Sequence, residues 1–459
     1  MASMEPPAVA GQADRFCDPS LGLAIQWIYL MTFAVVTIIH VTASVLIMRY
    51  WLDPEIVHSG VWITMFMVII VGASYWGSQY MGYYDYILSS VKITVALGLM
   101  ILSLVLALGG GPDHDRKGFR YWENPGAFAG ENSALGRLRA ICRTIPSATF
   151  SYLGSELIGI VILHTWNPRR AAIRAIRLTF CRILVINIVI VVLLGMLVPY
   201  DEVSLAFSKT ALMKAGLSKV ESREKGVTAS VADASTAAAG FVVAIQIAHV
   251  PVLPHILNAL LLLFVLSAAN RSFCMAIRLS HGGAIRQNAV VVFSQTDIRG
   301  IPSLVLIVSA LPMMFLAYLT LYENLRLVFK SLTNFVAMLN ILTWITILVV
   351  HISFLRRGPP NEQPDRSEGS TAFKAPFGIY GSAAALGFCI LIVIVRGFDT
   401  SEPHGHVMFD LADLVLSYLS IPLYLMLIFG HKLNSWRKKR RAISQDHDLQ
   451  TVETSTEQP

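Results

Sequence analysis

Polar side chains interrupt an apolar stretch of the chain at residues 150–160, which read FSYLGSELIGI. A charged side chain buried in lipid costs about 3 kcal/mol, so a carboxylate in such a stretch marks a candidate functional site. A glycine flanked by hydroxyl side chains suits a helix that breaks and presents its backbone groups to a small ligand. The alternative is a close helix–helix contact through small residues, with the carboxylate bonded to a neighbour. The candidate ligand-binding residues are Ser151, Tyr152, Gly154, Ser155 and Glu156.

Two further apolar stretches carry charged residues. Lys92 opens SSVKITVALGL at residues 89–99. It lies either at the membrane interface, with its ammonium group reaching water, or desolvated inside the protein, where it exchanges protons. Asn270 and Arg271 lie together in a third apolar stretch. A buried arginine needs an acidic partner, and Glu156 is the first candidate.

Signatures of enzymes are missing from the sequence. It contains no GxxxxGK[ST] phosphate-binding loop, no HExxH zinc motif and no GxSxG nucleophile motif. The five cysteines lie far apart and form no CxxC pair, so the sequence predicts neither a disulfide framework nor a metal site. We therefore predict no enzymatic activity and no cofactor.

The composition belongs to a membrane protein. Of 459 residues, 55% are hydrophobic and 14% are charged, and the mean hydropathy is +0.60. Soluble domains carry about 25% charged residues. The apolar residues also come in blocks, and a helix that is apolar on every face belongs in lipid or in a large core.

Apolar segments of about 20 residues cross the hydrocarbon core as helices. The sequence predicts about ten such helices, with aromatic residues clustered at their ends, where rings favour the headgroup level. The predicted fold is all-α, a polytopic bundle of transmembrane helices. The predicted spans are 22–48, 61–76, 87–108, 141–163, 181–198, 253–276, 301–319, 328–354, 377–395 and 411–429.

Lysine and arginine in the short loops predict the orientation of the bundle. The basic run KLNSWRKKRR at residues 432–441 places the C-terminus in the cytosol, on the same side as several basic loops. These clusters adjoin apolar spans and not a soluble module, which favours anionic membrane lipid over nucleic acid as their partner. We predict a cytosolic N-terminal tail (1–21), a transmembrane domain (22–430) with an extramembrane loop (200–250), and a basic and polar cytosolic tail (431–459).

Eight motifs are spread along the whole chain. They are RFCDPSLG (15–22), SSVKITVALGL (89–99), GGGPDHDRKGFRYWENPGAF (109–128), FSYLGSELIGI (150–160), NPRR (167–170), LPHILN (253–258), SAAN (267–270) and RGIPS (299–303). These motifs, in this order, resemble those of the fungal amino acid permeases, proton-coupled members of the amino acid–polyamine–organocation superfamily. The combination of GFRYW followed by NPGAF is very specific, whereas NPRR alone is weak.

The resemblance implies an inverted-repeat, leucine-transporter-like fold of two five-helix repeats plus two further helices. Substrate would bind at mid-membrane between two broken helices, and residues 150–156 correspond to the break in the family's sixth helix. Lys92 matches a fifth-helix lysine that takes the place of a sodium ion in related proton-coupled carriers. His40 stands where the family usually has glutamate, and Arg271 follows Asn270 where the family typically has serine.

The implied function is transmembrane transport of amino acids by proton-coupled symport and alternating access, with Lys92 and His40 as candidates for proton coupling. The expected partners are an amino acid, protons and membrane lipids, and the expected location is the plasma membrane in preference to the vacuole. RFCDPSLG normally follows the family's second helix, so ten of twelve helices are expected here. A non-transporting remnant, a gene start assigned too late, and a ligand-sensing membrane protein stay open as alternatives. The sequence does not indicate which amino acid is carried, nor the oligomeric state.

Overall fold

The computed structural model describes residues 8–52, 56–76, 81–112, 114–128, 133–152, 154, 156, 168–199, 240–248, 250, 252–287, 303–321, 325–357, 377–396, 415–416 and 418–456. These residues are mainly helical, and none of them lies in a strand. This agrees with the all-α fold that the sequence predicts.

The described residues form thirteen α-helices, numbered here in chain order. Helix α5 continues into a single 3₁₀ turn, Thr149–Tyr152, and α6 joins α7 through a π-helical turn, Ile183–Asn187. The helices are α1 (Ala8–Phe16), α2 (Pro19–Met48), α3 (Ser59–Trp76), α4 (Met81–Ala107), α5 (Ala134–Ala148), α6 (Pro168–Arg182), α7 (Ile188–Leu197), α8 (Gly240–Ile247), α9 (Leu253–Gln287), α10 (Ser303–Leu319), α11 (Leu325–Arg357), α12 (Gly378–Val395) and α13 (Ser420–Thr456).

Among the described residues, seven helical segments are long and apolar enough to cross a membrane, and they coincide with seven of the ten predicted spans. The predicted span 301–319 is the shorter apolar helix α10, Ser303–Leu319. The predicted spans 141–163 and 411–429 are described only in part, through the end of α5 and the start of α13. The seven segments are Pro19–Met48, Ser59–Trp76, Gly82–Ala107, Arg174–Leu197, Leu253–Gly283, Val328–Arg356 and Gly378–Val395.

Helix α2 packs against α1, α3, α9, α10, α11 and α13. Its side chains are apolar around most of the circumference, so it buries several faces at once. Tyr29 and Phe33 stack with ring centroids 6.3 Å apart and join a core that includes Phe66 of α3 and Phe273 of α9. Because α2 contacts neighbours on several sides, residues of different helices can meet beside it at the same level of the bundle.

The N-terminal end of α2 is fixed by a helix cap and by two neighbouring helices. The Asp18 carboxylate accepts a hydrogen bond of 2.9 Å from the Ser20 backbone N–H, and Pro19 occupies the first helical position, where no N–H is required. Helix α1 packs against this end, with Ala10 fully buried. Lys432 of α13 lies 3.7 Å from Asp18, measured from Nζ to Oδ2. The start of α2 and the start of the basic run are therefore at the same end of the bundle.

Several boundaries differ from the predicted ones. Helix α4 begins at Met81 and not at residue 87, because the aromatic run before the apolar stretch is helical as well. Within the predicted extramembrane loop 200–250, residues Gly240–Ile247 form α8, and its Val242 and Ile245 are buried in the bundle. The predicted tails contain helix α1 and most of α13.

Candidate functional site

The candidate ligand-binding segment contains the end of a helix, and residues 149–156, which follow it, are called the break below. Helix α5 ends at Ala148, the 3₁₀ turn Thr149–Tyr152 follows, and Gly154 has a φ of +89°, which a residue with a side chain rarely adopts. The Gly154 backbone N–H donates to the Glu156 carboxylate, at 3.1 Å to Oε2 and 3.3 Å to Oε1. Helix α5 therefore ends within this segment, and Gly154 directs a backbone N–H to an anion. Residues 157–167 lie outside the described residues, so the predicted interruption of the helix stays a prediction.

The candidate residues of the break have different surroundings. Glu156 is 9% exposed, whereas Ser151 and Tyr152 are exposed on the described part of the chain. Ser155 lies outside the described residues. The two exposed hydroxyl-bearing residues thus precede the left-handed glycine in the sequence, and the buried carboxylate follows it.

Helices α2 and α11 hold the break in place. The amide Nδ2 of Asn340 donates to the Thr149 carbonyl at 3.4 Å. Phe150 packs beside a small apolar cluster shared by the two helices. The cluster consists of Val36, Ile39 and Val336. The break therefore lies beside the middle of α2, within the apolar depth of the bundle.

Buried polar atoms without a hydrogen-bond partner among the described residues lie near the break. They are the hydroxyl groups of Tyr29 and Thr32 on α2 and the side-chain carbonyl of Asn340 on α11. Tyr29 is also close enough to Glu156 for the two to interact electrostatically. Buried polar groups normally find partners, so these atoms give this region the capacity to bind a polar ligand or water. The sequence analysis did not identify them, although the spacing of Tyr29 and Thr32 puts both on one side of α2.

Charged residues meet between α4 and α9. Lys92 Nζ donates to Ser267 Oγ at 3.5 Å and lies 5.7 Å from the centroid of the Phe264 ring. Arg271 Nε lies 3.8 Å from Asp85 Oδ1. Lys92 also interacts electrostatically with both Arg271 and Asp85. Lys92 therefore faces a neighbouring helix of the bundle, in a cluster with one other cationic group, Arg271, and one carboxylate, Asp85.

The acidic neighbour of Arg271 differs from the one expected. The sequence analysis gave Glu156 as the first candidate, and the structure places Asp85 beside the guanidinium. The physical reason is the earlier start of α4, which brings Asp85 into the helix. The missed signal was the spacing of Asp85 and Lys92, which are seven residues apart and so lie on one face of a helix, two turns from each other.

His40 and Asn270 contribute polar contacts between helices. Ser272 Oγ lies 3.5 Å from His40 Nδ1, and it accepts a hydrogen bond of 3.1 Å from Thr37 Oγ1. These contacts join α2 to α9. Ser74 Oγ donates to Asn270 Oδ1 at 2.7 Å and joins α3 to α9. Hydroxyl and amide side chains stabilise contacts between membrane helices in this way.

The structure therefore brings the predicted residues together in two groups, and both of them adjoin α2. The first is the break, and the second is the polar cluster on α9 with Lys92, Arg271 and His40. Among the described residues, no group of three histidine, cysteine, aspartate or glutamate side chains is placed to hold a metal ion.

The chain is similar to known membrane transporters over most of its length. The amino acid permease family profile matches residues 8–444. The dicarboxylic amino acid permease of Saccharomyces cerevisiae is 37% identical over 429 residues, which are 92% of this chain and 65% of that protein. The proline-specific permease of the same yeast is 29% identical, over 94% of this chain and 65% of that protein. The lysine-specific permease is 28% identical, over 91% and 63%.

This chain thus spans slightly less than two thirds of the length of these three relatives. The match nevertheless extends from α1 into α13 and includes both polar groups described above. The members of this family are multi-pass membrane transporters and not enzymes. The chain belongs to the amino acid permease family.

Proposed function

We propose that this protein transports amino acids across a membrane by alternating access, with the break at residues 149–156 as part of the substrate site. The observation that carries this proposal is the Gly154 backbone N–H, which donates to a carboxylate just beyond the end of α5. A position that accommodates the Glu156 carboxylate has the geometry and polarity to accommodate the α-carboxylate of a substrate. Interrupted membrane helices bind substrates through such freed backbone groups.

The break also offers partners for the rest of a zwitterion. Backbone carbonyls freed by the interruption can accept from the α-ammonium group, and the buried Glu156 carboxylate can attract it. The unsatisfied polar atoms of Tyr29, Thr32 and Asn340 can replace part of the water that the substrate loses. Ser151, Tyr152 and Ser155 belong to the same candidate site by their positions in the sequence.

Transport is proposed to be coupled to protons through Lys92 and His40. Lys92 contacts α9 at Ser267, and His40 contacts α9 at Ser272, so both titratable groups adjoin the same helix. A change in the charge of either group changes the electrostatic cost of moving α9 against α2 or α4. Proton binding can bias a two-state transporter by this means.

The substrates are proposed to include acidic amino acids. The basis is the relative named a dicarboxylic amino acid permease, at 37% identity, together with the net positive charge of the cluster of Lys92, Arg271 and Asp85. The plasma membrane and a cytosolic C-terminus are proposed from the resemblance and from the basic run in α13. Anionic lipid is the proposed partner of that run.

Uptake of radiolabelled glutamate, glutamine and alanine in a yeast strain without endogenous permeases tests the proposal. We expect saturable uptake of glutamate that increases as the external pH falls. Equal surface expression without uptake of any amino acid contradicts the proposal. Saturable binding to the purified protein without uptake also contradicts it and favours a membrane sensor.

A further inference from the structure

We infer that Arg271 recognises the side-chain carboxylate of an acidic substrate, which displaces Asp85 as the partner of the guanidinium. The inference rests on the proposed function and assigns its specificity to one residue. It begins from the charges between α4 and α9.

The cluster carries an excess of positive charge. Lys92 and Arg271 contribute two cationic groups, and Asp85 contributes one carboxylate. His40 also interacts electrostatically with both cations. Uncompensated charge inside apolar helices is costly, so a second anion in this region lowers the free energy of the whole cluster. An acidic amino acid brings that anion, whereas a neutral amino acid does not.

The contact between Arg271 and Asp85 leaves most of the guanidinium available. The distance of 3.8 Å from Nε to Oδ1 is too long for a hydrogen bond, and no hydrogen bond joins the Arg271 guanidinium to another described residue. The Arg271 side chain is 42% exposed and Asp85 is 30% exposed. Guanidinium groups bind carboxylates through paired, parallel N–H donors. The paired N–H donors of Arg271 are therefore available to bind the carboxylate of a ligand.

Arg271 is also at the same depth as the break. Its neighbour Ser272 contacts Thr37 and His40 of α2. Phe150 of the break packs against the cluster that includes Val36 of the same helix. Val36 and His40 are four residues apart, so the break and Ser272 adjoin the same face of α2. A substrate whose α-groups lie at the break can direct a second carboxylate toward Arg271.

This arrangement discriminates by charge. A neutral substrate offers nothing that can replace Asp85, and a cationic substrate is repelled by Lys92 and Arg271. Specificity of this kind combines an attractive contact for one ligand with repulsion of another.

The test is the ratio of glutamate to glutamine uptake in Arg271→Gln, normalised to the amount of protein at the cell surface. We expect the ratio to fall about 10- to 100-fold, as for the loss of one charge-assisted hydrogen-bonded pair. Arg278→Gln is the matched control, because Arg278 is an exposed arginine on the same helix. It should leave the ratio unchanged.

Variants of Asp85 separate recognition from folding. Asp85→Asn removes the competing carboxylate and should lower the KM for glutamate without lowering that for glutamine. The double variant Asp85→Asn with Arg271→Gln removes both members of the pair, so it leaves no unpaired charge if Arg271→Gln alone fails to fold. We expect it to have the low ratio of glutamate to glutamine uptake.

The outcomes distinguish the inference from the proposed function. If Arg271→Gln and the double variant take up both amino acids at the wild-type ratio, the pair is structural and the inference is wrong, while the proposed function holds. An equal loss of selectivity in Arg278→Gln also overturns the inference. If the wild-type chain takes up no amino acid, both the inference and the proposed function fail.

Discussion

At Gly154 the backbone has a φ of +89°, and the N–H of the same residue meets the Glu156 carboxylate. A residue with a Cβ is strained in this conformation by about 1–2 kcal/mol. The same conformation directs the N–H to an anion. Glycine adopts this conformation without strain, so the proposed binding of substrate depends on glycine at this position.

Gly154→Ala should therefore lower the free energy of unfolding by about 1–2 kcal/mol and weaken amino acid uptake. Thermal unfolding of the purified protein in detergent and uptake in cells measure the two effects. Gly387→Ala is the control, since Gly387 lies inside helix α12 and a Cβ there meets no atom within 4 Å. Uptake by Gly154→Ala at the level of Gly387→Ala would argue against a role of the break in binding.

The sequence was informative about the break and less so about the charged cluster. A glycine between hydroxyl-bearing residues in an apolar stretch predicts an interruption from local chemistry alone, and Gly154 has the left-handed backbone that this requires. The partner of Arg271 depends on how α4 and α9 pack, which no local pattern specifies. The role of Lys92 in proton coupling stays a prediction, although the structure places the residue against Ser267.

Among the helices, α2 has the most clearly defined N-terminus. The hydrogen bond from the Ser20 backbone N–H, with a smaller effect of nearby Lys432, holds the pKa of the Asp18 carboxyl below its usual value. Both members of the pair with Lys432 are largely exposed, so that pair itself contributes little. The capping hydrogen bond is the main local interaction at this end.

Asp18→Ala should lower the free energy of unfolding by about 1 kcal/mol, and Asp18→Asn should retain most of it, because an amide oxygen also caps a helix. The stabilising contribution of the ionised Asp18 carboxylate is present above its pKa in the unfolded chain. It is lost as the pH falls through the lower pKa in the folded state. Between pH 7 and 3 the melting temperature of the wild type should therefore fall relative to both variants, whereas the difference between the two variants should stay constant. Parallel curves at all pH values would contradict this account.

Helix positions were predictable from apolar length, whereas helix ends were not. Seven predicted spans coincide with described helical segments because about 20 apolar residues have few other stable environments. The start of α4 at Met81 was missed because tyrosines and an aspartate look like a membrane–water interface when read alone. The same reasoning applies to α8, whose buried residues adjoin a long charged loop in the sequence.

Across the whole molecule, the contact of Asp18 with Lys432 brings two distant parts of the chain to one end of the bundle. Together with the basic run in α13, this predicts that both ends of the chain face the cytosol. Alkaline phosphatase, which is active only outside the cytosol, should be inactive when fused before Ala8 or after Pro459. It should be active when inserted within residues 397–410, which the orientation predicts to be outside. Activity at either end of the chain would contradict the predicted topology.

The long separation between contacting residues on α2 and α9 also has a consequence for biosynthesis. Thr37 and Ser272 are 235 residues apart, and Gln26 contacts Leu279 across 253 residues. When α2 enters the bilayer, the ribosome has not yet made the helix that satisfies its polar groups. Its long apolar sequence is sufficient for insertion, but its interior face stays in contact with lipid, or with an insertion chaperone, until α9 is made. Nonsense alleles that end between α4 and α9 should therefore yield fragments that are inserted normally and then removed by membrane quality control.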